Sequence, residues 1–241
     1  MKESRLTGVA GRASGALRVL NNRIIQCRKC PRLVRYREEV ARVKRRAYRE
    51  QTYWGRPVPG FGDPQAGLLI IGLAPAAHGA NRTGRMFTGD RSGDFLYAQL
   101  YRAGFANQAR SISRNDGLTL KNAYISAVAR CAPPENKPSP DETCNCLPYL
   151  EAELDLLKPR VILALGHVAW TQYLRVLHQR GRIERASAYK FSHGASYALP
   201  DGLPHLVGSY HPSQQNTQTG RLTTAMFASV LNKIRGALDK K

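Results

Sequence analysis

Four short apolar runs, at 68–73, 123–128, 161–165 and 205–208, are spaced along the chain after residue 60. Runs this short, bounded by turn-forming residues, predict buried strands. VILALG, at 161–166, contains no polar position, as expected of a strand covered on both faces. Helical patterns separate the runs. Leu96, Leu100 and Ala103 mark one face of the first. Ser139-Pro140-Asp141-Glu142 forms a capping box with proline at the first helical position. Leu147, Leu150, Leu154 and Leu157 then make a stripe, with Pro148 set to disturb its first turns. Another helix should follow His167, and a last one should cover roughly 220–238. Strands alternating with helices predict a parallel sheet in an α/β sandwich. The first sixty residues are basic and helical in pattern. They end in WGRPVPGFGDPQAG, whose glycine and proline content predicts a loop.

Charge changes the picture next. Lysine and arginine total 37 against 17 acids, a net charge of +20. Such an excess calls for a polyanionic partner, most often nucleic acid, although an inert basic surface or a membrane surface would also use it. The densest run, RVKRRAYRE at 42–50, serves equally as a solvated helix face. No stretch of apolar residues is long enough to predict a transmembrane helix. The basic N-terminus lacks the apolar segment of a secretory signal, so a cytoplasmic location is expected. There, five cysteines point to metal or redox chemistry rather than disulfides.

Cys27-Arg-Lys-Cys30 is a CxxC pair that brings two thiolates to one centre. Two further ligands must come from Cys131, Cys144 and Cys146. Cys144 lies three residues before Leu147, so it should extend the leucine stripe into the core as an ordinary buried cysteine. Cys146 is rotated off the stripe, which leaves Cys131 and Cys146 as the better ligands. Four thiolates suit zinc or an iron–sulfur cluster, and spacing does not choose between them. Free thiols are the plain alternative.

The stretch GLAPAAHGANRTGRMFTGD, at 72–90, leaves the first strand where open α/β sheets place ligands. Loops of this length are functional or disordered. His78 lies in it, His211 follows the last strand, and His167 ends the third, where it also reads as a helix cap. A metallohydrolase built on these histidines would need carboxylates, and only Asp90 and Asp94 are near. No glycine-rich phosphate loop, nucleophile elbow or HExxH is present. A pocket for an extruded base fits better. Phe87 can stack on a base, and small residues at Gly72, Ala74 and Ala76 let backbone amides approach it. Phe87 has an equal claim as a core residue.

The joint occurrence of GLAPAAHGANRTGR…FTGD, RCAPPENKPSP followed by Cys146, and YHPSQQN resembles the uracil-DNA glycosylase superfamily. Within it the chain looks like family 5, the UDGb type, related to the iron–sulfur family 4. The resemblance runs from Cys27 to about Arg221. It implies a single domain over 1–241, a three-layer α/β/α sandwich with a four-stranded parallel sheet, and an N-terminal segment of about sixty residues carrying the CxxC. It also implies a [4Fe-4S] cluster on Cys27, Cys30, Cys131 and Cys146, with Cys144 an extra. The implied activity is base excision repair: hydrolysis of the N-glycosidic bond of uracil in double-stranded DNA by a monomeric, nucleoid-associated enzyme.

On this pattern His211 donates to the uracil oxygen where charge develops, and Gly72, Leu73, Ala74, Ala76, Phe87 and Ala127 shape the pocket. Better-known relatives carry an aspartate where this chain has Ala74, and family 4 a glutamate where it has Leu73. Asn81 or Asp90 would then orient the water, although Asp90 has an equal reading as an N-cap. Relatives place an asparagine at Ala127 to read the uracil edge. Its loss should widen the substrate range to hypoxanthine or ethenocytosine. Arg82, Arg85 and the 42–49 run would grip phosphates, while Gln215, Asn216 and Arg221 would form a wedge. The opposing hypothesis is a DNA-binding module with a structural metal and an inert pocket.

Overall fold

The computed structural model describes residues 2–239, with side chains from residue 13 onward. The basic start of the N-terminal segment, up to residue 12, therefore has its side chains outside the described residues. Eight α-helices surround one sheet in the order α1 (Lys2–Ile25), α2 (Pro31–Val43), β1 (Phe61–Gly62), β2 (Leu68–Gly72), α3 (Ala80–Thr83), α4 (Arg91–Arg102), β3 (Ala123–Ala127), α5 (Pro140–Leu157), β4 (Val161–Leu165), α6 (His167–Gln179), β5 (Ser196–Tyr197), β6 (His205–Ser209), α7 (Gln214–Gln218) and α8 (Thr224–Asp239).

The strands form because successive side chains point to opposite faces and both faces are covered. Leu68, Ile70, Val161, Leu163 and Val207 face a core closed by Leu96 and Leu100 of α4 and by Phe227, Leu231 and Ile234 of α8. Leu69, Ile71, Ile162, Ala164 and Leu206 face the other core, under Leu147 and Leu150 of α5 and Trp170 and Tyr173 of α6. The result is the three-layer sandwich.

The sheet has six strands in the order β1-β3-β2-β4-β6-β5, not four. The four predicted strands are its parallel centre, in register from Leu68↔Ala123 and Leu68↔Val161 to Val161↔His205. The additions are two-residue antiparallel edges, too short to leave an alternating pattern in the sequence. β3 and β4 lie on opposite sides of β2, so the loop leaving β2 sits at the switch in strand order. Ligand crevices form at this point.

The capping box of α5 is present on both sides, with Ser139 accepting from the Glu142 amide and Glu142 accepting from the Ser139 amide. Pro148 does not break the helix. It lies on the exposed face, where water can serve the carbonyl that loses its partner.

Candidate active site and cysteine centre

The ends of β2, β3 and β6 open into a cavity of about 560 Å³, within the range of small-ligand sites. Gly72, Leu73, Ala74 and Ala76 line it together with Ala127 of β3, Phe87, Asp90 and His211, and polar residues such as Arg91 and Gln215 stand among the rest of the lining. The Phe87 and His211 rings face each other at 5.8 Å and 30°. Phe87 holds a left-handed φ of 52°, a conformation that costs a bulky residue strain and is retained where surroundings over-determine it. Gly72 explains part of that: a Cβ there would approach the Phe87 ring to 2.9 Å. Gly79 plays the same part for Asp90, whose Oδ2 would lie 1.9 Å from an added Cβ.

Asp90 is the N-cap of α4. Oδ1 caps α4 by accepting from the Gly93 amide at 2.9 Å, while the residue lines the cavity. Burial pushes its carboxyl above the usual carboxylate range. His211 is driven the other way, its pKa lowered to about 4 by burial. The neutral imidazole is therefore the resting form at physiological pH. Because the folded state resists the proton that the unfolded chain accepts near 6.5, this group's share of stability is complete above 6.5. It is lost as pH falls towards about 4.

Several predicted site residues sit elsewhere. Asn81 is fully buried outside the cavity, its Nδ2 donating to the Arg37 carbonyl at 3.2 Å. A water-orienting role does not fit that place. Arg82 donates to the His78 carbonyl, Gln51 and the Gly89 carbonyl, and stacks 3.9 Å from the Tyr48 ring centre. Arg85 forms a buried pair with Asp116 at 2.7 Å and donates to Ser111 and Thr88. Both arginines brace the loop and are buried, so neither is a phosphate grip.

Asn216 donates to the His211 carbonyl at 2.8 Å and supports that residue from behind. Gln215 is exposed at the cavity mouth, and Arg221 is exposed over the Tyr210 ring at 4.7 Å. Exposed Arg91, at the same mouth, escaped the sequence reading; its position right after a capping aspartate was the available signal. The three histidines do not converge. His78 bonds Tyr53 at 3.0 Å, and His167 is exposed near Phe191.

Cys27, Cys30, Cys131 and Cys146 lie within electrostatic reach of one another, joining the segment between α1 and α2 to the α/β body. Cys146 is buried and Cys144 only half-buried, the reverse of the stripe argument. The buried face of α5 runs through Glu142, Cys146, Leu150, Glu153 and Leu157, so Cys146 lies beside the leucines and close to the CxxC pair. Burial pushes the Cys131 thiol up to about 12 and also raises Cys30 and Cys146. Arg37, itself buried, donates to Cys131 Sγ at 2.8 Å, and its Nε has no partner among the described residues. Arg130, preceding Cys131, forms a buried pair with Glu153 at 2.5 Å, shared with Ser126. Among the described residues no three His, Cys, Asp or Glu side chains close on a single-ion site. What the chain offers is an all-thiol donor set beside a buried cation, chemistry that suits an anionic thiolate-held cluster.

Residues 59–235 match the family model of the uracil DNA glycosylase superfamily. The chain belongs to the uracil-DNA glycosylase superfamily. Among relatives of this superfamily, it is 54% identical over 219 residues to the type-5 uracil-DNA glycosylase of Mycobacterium leprae, covering 90% of this chain and 93% of that one. It is 53% identical over 206 residues to the type-5 enzyme of Thermus thermophilus, with coverages of 85% and 90%. To a type-5 enzyme of Pyrobaculum aerophilum it is 43% identical over 212 residues, with coverages of 88% and 89%. Among the described residues of this superfamily member, no helix is long and apolar enough to cross a membrane.

Proposed function

We propose that this protein is a monofunctional uracil-DNA glycosylase whose pocket also accepts other deaminated or damaged bases, hypoxanthine and ethenocytosine among them. The observation that carries the reading is the cavity at the ends of β2, β3 and β6, where His211 and Phe87 face a wall of small residues. An extruded base lies against Phe87 with its edge toward the backbone of the Gly72–Ala76 turn. As the bond between the sugar and the base nitrogen breaks, the sugar becomes oxocarbenium-like and the uracil leaves as an anion. The neutral His211 imidazole donates an N–H to the uracil oxygen that gains this charge. Water adds to the sugar carbon, and the proton it gives up passes through solvent to the departed uracil anion, leaving an abasic site and the neutral base. Asp90 would orient that water, a reading supported by its place in the cavity lining. Ala127 offers the base no side-chain hydrogen bond, and this supports the broader substrate range.

The four cysteines would hold a [4Fe-4S] cluster, which when bound cross-links the CxxC segment to the body and can carry one electron. With Arg82 and Arg85 spent inside the loop, phosphate contact falls to Arg91, Arg221 and the exposed Arg45, Arg46 and Arg49.

Excision from labelled duplexes carrying uracil, hypoxanthine or ethenocytosine, followed by alkaline cleavage, tests the reading. Uracil release together with at least one of the other bases is expected. Release of uracil alone would refute the broad pocket, and salt-sensitive binding without any abasic product would favour the inert DNA-binding module. The neutral His211 gives a second expectation. The rate should be flat between about pH 6 and 8, with no histidine inflection near its ordinary value. An inflection near 6.5 that vanishes in His211→Ala would contradict the buried neutral ring.

A further inference from the structure

Arg37 of α2 is 2% exposed, and the nearest carboxylate, on the exposed Glu38, is 3.8 Å away. A guanidinium buried in this way is costly unless negative charge faces it; Glu38 supplies one charge from the exposed side, and a thiolate at Cys131 would supply another on the buried side. Its Nη1 donates to Cys131 Sγ at 2.8 Å, and both terminal nitrogens reach the Cys27 carbonyl at 3.3 Å. The backbone of the same residue points toward the other site. Its carbonyl accepts from Asn81 Nδ2, and the backbone N–H of Asn81 donates to the Ala76 carbonyl at 3.1 Å, in the wall of the base cavity. Three hydrogen bonds therefore run from a cysteine sulfur to the pocket.

We propose that Arg37 is a positioning residue that joins the cysteine centre to the base pocket. Its guanidinium balances negative charge on Cys131, and its carbonyl holds Asn81 and, through it, the Ala76 turn. The proposal rests on the cluster reading above. A cation and hydrogen bond at a ligand sulfur favour the more reduced state, so Arg37 raises the reduction potential of the centre. Loss of the contact frees α2 and slackens the turn.

The test uses wild type, Arg37→Gln, Arg37→Lys, Asn81→Ala and the double variant Arg37→Gln/Asn81→Ala. Each is assayed for iron content, visible absorption, midpoint potential by optical titration with dithionite and mediators, and kcat and KM on a uracil duplex. Arg37→Gln should lower the potential and reduce metal retention or kcat by roughly 10- to 100-fold with KM little changed, as removal of a ligand's partner does. Arg37→Lys should keep most of the wild-type potential. Asn81→Ala should keep the wild-type spectrum and potential while losing kcat, and the double variant should be no slower than the slower single.

A wild-type potential in Arg37→Gln would overturn the charge role, and wild-type kcat in Asn81→Ala would overturn the link to the pocket. If Arg37→Gln does not fold, a potential in Arg37→Lys unlike wild type overturns the charge role instead. Absence of iron from the wild-type protein would overturn the cluster reading itself, a result visible before any variant is made.

Discussion

His211→Ala is expected to lower the single-turnover rate of uracil excision by roughly 10²- to 10³-fold, the usual cost of removing one donor aimed at a developing anion. Affinity for an undamaged duplex should stay close to wild type, because the ring is set beside Phe87 in the cavity wall while exposed Arg91 and Arg221 at the mouth are left unchanged. The separation of the two effects is the informative part. A donor that acts only as charge leaves the base affects the barrier and not the encounter. Equal loss of binding and rate would instead show that His211 shapes the DNA surface. Unchanged excision would remove it from the chemistry and leave backbone amides of the Gly72–Ala76 turn as the stabilising donors.

Glu153→Ala carries the largest expected effect on stability. Arg130 and Glu153 are 1% and 0% exposed, and removal of the carboxylate leaves a buried guanidinium without its counter-charge. The expected loss is about 3–5 kcal/mol, or a fall in Tm on the order of 10 °C for a chain of this size. Replacing both partners by apolar residues, as in Arg130→Met/Glu153→Leu, should recover most of it, since the cost of a half-broken buried pair exceeds the worth of the intact one. Denaturant unfolding of the two variants side by side distinguishes a pair that stabilises from one that only must not be broken. A single variant that unfolds at the wild-type midpoint would mean that water reaches Arg130.

The contrast between residues that were legible in the sequence and those that were not has a physical basis. The four central strands could be seen because burial on both faces leaves mostly apolar runs, unbroken in Leu68 to Ile71 and Val161 to Leu165. His211, Phe87 and Ala127 could be placed together because strand ends share one edge of a parallel sheet. Arg82 and Arg85 could not be distinguished from phosphate ligands. An arginine in a long loop looks the same whether its donors meet DNA or the loop's own carbonyls and Asp116, and only the fold brings Asp116 to it. Asn81 was misplaced for a similar reason, since its partner is a carbonyl on a helix distant in sequence. The burial of Cys146 was misjudged because the buried face of α5 is wider than the leucine stripe and takes in Glu142, Cys146 and Glu153 beside Leu150 and Leu157.

The two-residue strands β1 and β5 close the edges of the sheet with antiparallel pairs. Each outer edge then exposes a backbone ladder too short to template another chain, while the long parallel strands stay internal. Copies of such a protein can crowd at high local concentration without their sheets joining end to end. Any self-association would have to use side chains rather than strand addition.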